Sequence, residues 1–288
     1  MQDDRLVLWS GAAMRERALD QMQRLGVTTL HSLVVWRKLA PAPTARSRPA
    51  FDAANPASYS GWEPYDEVIE SAQARGIDVL LTLTAPAPNW ASQCPSRAAR
   101  RWVCNPRVSD YAAFARAVAT RYSGSYTAGG QVLPRVSAWS FWNEPNHENW
   151  LRPQKTAPSR YRALAQAGLA ALAATGHGSD LRLIGETAPG GGSHSTAPVE
   201  FMRRVFCLAC ARRPHFTVNG VSDHPYTYAA MASPSSFKGG SNDAPIGSVG
   251  HLVKLLDTAG DAGVVPRRTR VYLTEFGFQT RPPDPFSN

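Results

Sequence analysis

Two glutamates stand where apolar runs of the chain end, and together they have the residue types of an acid–base pair. Glu144 follows the apolar residues of SFWNEPN (140–146), and Glu275 follows those of VYLTEFG (271–277). A single glutamate after a strand is ordinarily a solvated loop residue. Two opposed carboxyl groups suit glycosidic bond cleavage, in which one protonates the leaving oxygen and the other attacks or stabilises the anomeric carbon.

Further polar residues end the predicted strands and could surround such a pair. Asn143 suits a hydrogen bond to a sugar hydroxyl, and Tyr226 suits a hydrogen bond that keeps a carboxylate nucleophile ionised. Glu148 and Glu186 are rival carboxylates, the first read as a loop residue and the second as one that lines the pocket without reacting. The polar residues at strand ends are Arg37, Thr84, Asn143, Glu144, Glu186, His224, Tyr226 and Glu275.

Tryptophans supply a second kind of candidate, because apolar sugar faces stack on indole rings. For any one tryptophan, a core position is about as frequent as a binding position. Trp90 and Trp150, in loops past strand ends, are the better candidates for sugar binding, whereas Trp139 is mid-strand and reads as core. The histidines carry no metal-ligand spacing and there is no H-E-x-x-H motif, so no metal and no cofactor are predicted.

The elements that must position these residues alternate along the chain. Amphipathic helical patterns closed by glycine or opened by Ser or Asp alternate with apolar runs rich in Val, Ile and Leu. Helices are predicted at 12–25, 62–75, 109–122, 158–175, 198–210 and 247–262, and strands at 27–36, 77–84, 136–145, 181–187, 218–226 and 270–278.

This alternation predicts an α/β fold with parallel strands, and the unit length of about forty residues favours a (β/α)8 TIM barrel. A doubly wound sheet is the alternative, but the chain has no G-x-G-x-x-G or Walker sequence to support it. In a barrel, catalytic groups lie at the carboxyl ends of the strands. Glu144 and Glu275 are three βα units apart, which would place them on nearly opposite walls of one pocket.

WNEPN at one strand end and TEFG three strands later resemble the retaining glycoside hydrolases of clan A, of the β-xylosidase and iduronidase type and then of the cellulase type. The resemblance runs from about residue 25 to 280. It implies that Glu144 is the acid/base and Glu275 the nucleophile. It further implies that Asn143 binds the hydroxyl next to the anomeric carbon. His224 and Tyr226, in the HPY segment, are similar to the sixth-strand motif, and Arg37 is a weaker match to an arginine near the nucleophile.

Counted against that clan, Glu144 lies on the fourth strand and Glu275 on the seventh. Only a short segment, DRLVLW at 4–9, then remains for the first strand, and the chain stops in a loop before an eighth. We therefore expect a single catalytic barrel domain over 1–288 that is incomplete at both ends, lacking most of strand one and all of strand eight. Loss of two neighbouring strands would leave unpaired sheet edges.

The four cysteines give an indication of the cellular compartment of the protein. Cys94 and Cys104 bracket an Arg-rich loop, and we expect a disulfide between them, which favours a secreted or extracytoplasmic protein. Pairing of Cys207 with Cys210 stays open, and free thiols in a cytosolic protein are the alternative. No signal peptide is seen at the start of the chain, so a secreted parent would carry its signal outside it.

Composition excludes several classes. The chain has 288 residues, 43% of them hydrophobic and 18% charged, which argues against disorder, and no apolar run is long enough to span a membrane. The net charge of +9 comes almost wholly from arginine. The arginines are scattered, as GC-rich coding would leave them, rather than grouped into a stripe for nucleic acid. An acidic polysaccharide is the other partner that such a charge suggests.

The leading hypothesis is a retaining glycosidase that cleaves O-glycosidic bonds of a plant or microbial oligo- or polysaccharide by double displacement. Its partner is the glycan substrate, with no nucleic acid and no membrane. A catalytically impaired carbohydrate-binding barrel fragment is the alternative, and a barrel lyase is a third possibility. Because the carboxyl groups of retaining enzymes lie about 5–5.5 Å apart and those of inverting enzymes about 6.5–9.5 Å, the separation of the two glutamates tests the hypothesis.

Overall fold

The computed structural model describes residues 1–190, 193–226 and 239–277. They form two compact units. The first holds Met1–Asn143 and Ala163–Arg182, and the second holds Glu144–Arg162 and the described residues from Leu183 onward. None of the helices within the described ranges is long and apolar enough to cross a bilayer.

Helices and strands alternate along the described chain. The helices are α1 (Asp4–Val7), α2 (Ala12–Arg24), α3 (Trp36–Leu39), α4 (Glu63–Gln73), α5 (Val108–Arg121), α6 (Ala157–Ala174), α7 (Pro198–Phe206) and α8 (Gly250–Asp261). The strands are β1 (Thr29–Val35), β2 (Asp78–Thr84), β3 (Thr127–Ala128), β4 (Gln131–Val132), β5 (Ala138–Phe141), β6 (Leu181–Thr187), β7 (Gly220–Asp223) and β8 (Arg270–Leu273).

In the first unit, β1, β2 and β5 pair in parallel, and β5 pairs with the first two residues of β6. β2 has the sequence DVLLTLT and buries every residue after Asp78, as expected of a parallel strand covered on both faces. Trp36 stacks on Phe114 of α5, with ring centroids 5.4 Å apart, beside buried Tyr111. The strands of this unit therefore end against a dense aromatic core.

In the second unit, β6, β7 and β8 pair in parallel. The register of β6 shifts between Gly185 and Thr187, and Glu186 between them has φ +46°. Gly220 of β7 lies against the Tyr272 ring of β8, where a Cβ atom would come too close to the ring. The apolar face of α7 is buried, including Phe201, and completes the core of this unit.

Each of the six strands predicted from apolar runs is present, and the sheet is parallel with intervening helices. The strand pairings found within the described residues do not close a barrel, so the fold is established at the coarser level of a parallel α/β sheet. Four predicted strands are shorter than expected, since β1 ends at Val35 where α3 begins, β5 covers Ala138–Phe141, β7 covers Gly220–Asp223 and β8 covers Arg270–Leu273.

The segment 4–9 is a correction to the sequence prediction, because α1 replaces the expected short strand. Asp3 caps the helix by accepting a hydrogen bond from the Leu6 amide, and such a cap favours a helix start. The residue that lies beside β1 is Met1, whose carbonyl accepts from the His31 amide at 2.7 Å.

Both cysteine pairs lie at disulfide distance. Cys94 and Cys104, predicted to pair, have Cα atoms 6.0 Å apart. The Ser92 hydroxyl donates to the Cys104 carbonyl at 2.7 Å and holds the same loop. Cys207 and Cys210, which the sequence left open, have Cα atoms 5.2 Å apart, just past the end of α7.

Candidate active site

Glu144 lies three residues past β5, whose four residues are all buried. Its backbone has φ +41°, in the left-handed region that residues with a Cβ atom seldom adopt. Its amide donates to the Glu186 carbonyl at 2.9 Å, which fixes this turn within the second unit. Strained backbone of this kind is found most often at functional sites.

Glu275 follows β8 and Thr274. The Tyr226 hydroxyl donates to Glu275 Oε2 at 3.1 Å, the contact that the sequence argument expected. Tyr226 lies just past β7 in a tight turn, where its amide donates to the His224 carbonyl at 2.8 Å. Gly277 faces the Tyr226 ring, and a Cβ atom there would lie 3.0 Å from the ring carbon Cε1. Because Gly277 has no side chain, the Tyr226 ring can lie close to the backbone at that position.

His224 lies between the two glutamates. Its side chain is fully buried, and its Nδ1 is 3.3 Å from Glu144 Oε1 and 3.6 Å from Glu275 Oε2. One ligand atom from each of Glu144, His224 and Glu275 lies within 4.8 Å of the other two. Nε2 lies 3.1 Å from Thr274 Oγ1. One imidazole thus faces both candidate catalytic carboxyl groups.

The two carboxylates keep this imidazole charged. Burial lowers the pKa of His224, but the hydrogen bond to Glu144 and the charges of Glu275, Glu186 and Glu144 raise it, and the net result is a pKa of about 9. An imidazolium therefore persists at neutral pH, although an unperturbed histidine would have lost most of its charge.

The negative charge of the pair also acts on Tyr226. Burial raises the pKa of Tyr226 well above its ordinary value, and the charges of Glu275 and Glu144 raise it further. The hydroxyl therefore stays protonated over the working range of any enzyme. It remains a hydrogen-bond donor to Glu275.

Trp150 supplies a further donor. Its indole Nε1 donates to Glu144 Oε2 at 2.9 Å, from a loop in which its own amide donates to the His147 carbonyl at 3.0 Å. The sequence predicted Trp150 as a stacking platform; the described contact is instead a hydrogen bond to the candidate acid/base. Glu148, in the same loop, pairs with Arg152 and His194 at 3.3 and 2.9 Å.

Two buried carboxyl groups lie behind the pair. Glu186 is fully buried, and its amide donates to Ser222 Oγ at 3.0 Å. Asp223 accepts a hydrogen bond from Thr187 Oγ1 at 2.6 Å. Burial raises the pKa of Asp223 to about 7, although the Thr187 hydroxyl and the charge of His224 act in the opposite direction.

Three predicted site residues belong to the first unit. Asn143 is 3% exposed, and its Oδ1 has no hydrogen-bond partner among the described residues. Arg37 donates to Asn89 Oδ1 at 2.9 Å. Trp90 is 2% exposed and donates to the Pro41 carbonyl at 3.0 Å, so its faces are covered by core neighbours. Their roles toward a substrate stay predictions.

The second unit thus brings together Glu144, Glu275, His224, Tyr226 and Trp150. Sequence reasoning missed the bridging position of His224 and the hydroxyl of Thr274. The available signals were the place of His224 directly after β7 and the threonine that precedes Glu275. The same imidazole and two carboxylates are also ligand types for a metal ion, which the histidine spacing did not predict.

No protein-family model matches the chain, and no curated protein sequence matches it. Solved structures do. A glucosidase from Croceicoccus marinus has a TM-score of 0.58 at 16% identity, over 93% of this chain and 49% of its own. A family 39 glycoside hydrolase from Bacteroides cellulosilyticus WH2 has a TM-score of 0.55 at 17% identity, over 92% and 46%. An endo-1,4-beta-mannanase from Rhizomucor miehei has a TM-score of 0.54 at 12% identity, over 97% and 77%.

At these identities the comparisons show a shared fold. The three proteins named above that share it are glycoside hydrolases, which agrees with the resemblance at the level of the fold. The chain spans about half the length of the first two of these proteins.

Proposed function

We propose that the protein is a retaining glycoside hydrolase, with Glu144 as the acid/base and Glu275 as the nucleophile. The observation that carries the proposal is that a carboxylate oxygen of Glu144 and one of Glu275 lie within 4.8 Å of each other, beside the same imidazole. That separation fits the short spacing of retaining enzymes, about 5–5.5 Å, and is less than the spacing of inverting enzymes, about 6.5–9.5 Å.

The hydrogen bonds support this assignment of roles. Glu275 accepts from Tyr226 at 3.1 Å and lies 3.6 Å from His224 Nδ1, so two donors surround the carboxylate proposed to attack. Its carboxylate would attack the anomeric carbon while Glu144 gives a proton to the leaving oxygen. Glu144 would then take a proton from the water that releases the sugar. Both side chains are reachable from solvent, 19% and 17% exposed.

The substrate class is an oligo- or polysaccharide with O-glycosidic bonds, the class that the fold and the carboxyl pair favour together. His224, Tyr226 and Trp150 stand next to the reacting carboxyl groups and are proposed to contact the sugar. Asn143, with a buried amide oxygen that lacks a partner in the described chain, is proposed for the hydroxyl beside the anomeric carbon. Arg37 remains a proposal that rests on the resemblance, and Trp90 remains one that rests on the stacking of sugar faces on indole rings.

The cysteine pairs support an extracytoplasmic location, since disulfides persist in oxidising compartments. We propose a barrel of the (β/α)8 class for the catalytic domain, which the likeness to glycoside hydrolases supports.

A panel of nitrophenyl glycosides tests the activity. We expect hydrolysis of at least one member, with the anomeric configuration retained in the first-formed product. Glu144→Gln and Glu275→Gln should each lower kcat by at least about a thousandfold, because each removes one chemical role. Glu148→Gln is the matched control, a carboxylate of the same loop as Glu144, and should keep near-normal activity.

Azide separates the nucleophile from other carboxylates. Glu275→Ala supplied with azide should regain activity and release a glycosyl azide of inverted configuration, because azide replaces the missing nucleophile on one face of the sugar. An unrescued Glu275→Ala together with an inactive Glu186→Ala would show that Glu186 is the nucleophile instead. Glycan binding without hydrolysis of any substrate would favour the carbohydrate-binding alternative.

A further inference from the structure

The cluster of Glu144, His224 and Glu275 has a property that glycoside cleavage does not need. Its three facing atoms are one imidazole nitrogen and two carboxylate oxygens, with nitrogen–oxygen separations of 3.3 and 3.6 Å. Ligand atoms bound at 2.0–2.2 Å in a tetrahedral zinc site lie about 3.4 Å from one another. The cluster therefore has zinc-ligand types at nearly zinc-ligand spacing.

Each of the three groups is also oriented by a second group. The Trp150 indole donates to Glu144 Oε2 at 2.9 Å, whereas His224 Nδ1 lies 3.3 Å from Oε1. The Tyr226 hydroxyl donates to Glu275 Oε2 at 3.1 Å. His224 Nε2 lies 3.1 Å from Thr274 Oγ1, so Nε2 can carry the proton while Nδ1 faces the carboxylates. Outer partners of this kind fix the orientation of metal ligands and strengthen metal sites.

We propose that Glu144, His224 and Glu275 bind one Zn²⁺ ion, and that the bound ion inhibits the protein. Two carboxylates balance the charge of the ion, and the imidazole completes a ligand set that zinc accepts. Because His224 is protonated at neutral pH, Zn²⁺ must displace the proton from Nδ1 and release it to solvent. Magnesium and calcium are poorer occupants, because they prefer oxygen ligands and the imidazole nitrogen of His224 is a ligand type that suits zinc.

The inhibition follows from the atoms that the ion would bind, and this part of the inference rests on the proposed function. Zn²⁺ would take one oxygen from the proposed nucleophile and one from the proposed acid/base. Neither attack on the anomeric carbon nor proton transfer to the leaving oxygen could then proceed. Zinc would act as a reversible inhibitor that competes with substrate.

Isothermal titration calorimetry of the full chain tests the binding without any activity assay. After treatment with a chelator and its removal, the protein is titrated with ZnCl₂ at pH 7.5, and with MgCl₂ as a control. We expect one Zn²⁺ per chain and no response to Mg²⁺. Glu144→Gln and Glu275→Gln should each weaken binding by about tenfold or more, the loss typical of disturbing a metal site.

Glu148→Gln is the matched control, because Glu148 also pairs with a histidine, His194, at 2.9 Å but does not belong to the cluster of Glu144, His224 and Glu275. It should bind Zn²⁺ as tightly as the unaltered chain. Failure of the unaltered chain to bind, or equal binding by the Glu144 and Glu275 variants with unchanged circular dichroism, overturns the site.

The two proposals fail separately. Zinc binding in a chain that cleaves no glycoside would remove the proposed function and leave the metal site standing. Hydrolysis that is unaffected by Zn²⁺ at concentrations that saturate the calorimetric site would remove the inhibition and leave the glycosidase standing.

Discussion

His224 carries a positive charge between Glu144 and Glu275 because their attraction exceeds the cost of burying an imidazolium. The balance raises its pKa to about 9, above the 6.5 of an unperturbed histidine. The folded state therefore binds the proton more tightly than the unfolded state, and His224 contributes its full stability below about pH 6.5. That contribution is lost as pH rises through about 9.

This shift predicts a pH-dependent stability. The free energy of unfolding should fall by roughly 3 kcal/mol between pH 6.5 and 9.5, from a shift of between two and three pKa units at about 1.4 kcal/mol each. Urea unfolding in the presence of EDTA measures it. His224→Asn should flatten the dependence over this range, and an unaltered slope in that variant would contradict the assignment.

Replacement of the buried Asp223 by a neutral residue should stabilise the fold. Burial raises its pKa to about 7, so above that pH the folded chain holds a buried carboxylate. Asn in its place keeps an oxygen to accept from Thr187 and removes the charge. Asp223→Asn should raise the free energy of unfolding at pH 8 by about 1–3 kcal/mol and by much less at pH 5. Equal effects at both pH values would show that the charge is not the cause.

Replacement of Trp150 should lower the rate of hydrolysis without unfolding the protein. Trp150→Phe keeps an aromatic ring and removes the indole N–H that donates to Glu144 at 2.9 Å. A bond of this strength is worth about 1.5 kcal/mol, so kcat/KM on the best aryl glycoside should fall about tenfold. Trp9→Phe, at an exposed tryptophan, is the control and should leave kcat/KM unchanged. An unchanged rate in Trp150→Phe would remove the indole from the site.

At the scale of the elements, strands were predictable wherever an apolar run was bounded by glycine. β2 is the clearest case, since DVLLTLT follows Gly76 and Ile77 and is buried after its first residue. The prediction of a strand at residues 4–9 was wrong for a local reason. The Asp3 side chain caps α1 in a segment whose apolar residues also suit a strand. The shift in β6 at Glu186 has no sequence signal, since it depends on pairing with β7.

The contact between β7 and β8 predicts a position that tolerates glycine alone. A Cβ atom at Gly220 would clash with the Tyr272 ring, so Gly220→Ala should lower the free energy of unfolding by about 1–3 kcal/mol. Gly250→Ala is the matched control, because its Cβ atom would meet no atom within 4 Å. Thermal melts of the two variants check the difference, and equal melting temperatures would contradict the packing.

At the scale of the molecule, the sequence predicted the contact of Tyr226 with Glu275 and the parallel α/β fold, and the structure has both, whereas the roles of the two glutamates stay predictions. These depend on short motifs and on the order of elements, which a linear pattern carries. The bridging position of His224 depends on side chains that are 80 residues apart along the chain, so a pattern in one segment cannot show it.

The disulfide of the first unit should stabilise the fold, and reducing agents should remove that contribution. Cys94 and Cys104 close a loop of sequence separation 10, for which chain entropy gives about 3 kcal/mol. A Cys94→Ala/Cys104→Ala variant should be less stable than the unaltered chain by about that amount in urea. The variant should also lose most of its sensitivity to dithiothreitol. A variant as stable as the parent would show that the bond contributes little.

The partners of the two glutamates differ in how far along the chain they come from. Glu144 receives its indole from six residues away, within one loop, whereas Glu275 receives its phenol from 49 residues away. A loop this short keeps its ends together at little entropic cost, whereas the longer connection relies on the packing of β7 against β8. Heat or mild denaturant should therefore separate Tyr226 from Glu275 while the indole of Trp150 still contacts Glu144, so the two carboxylates would lose their partners in a fixed order.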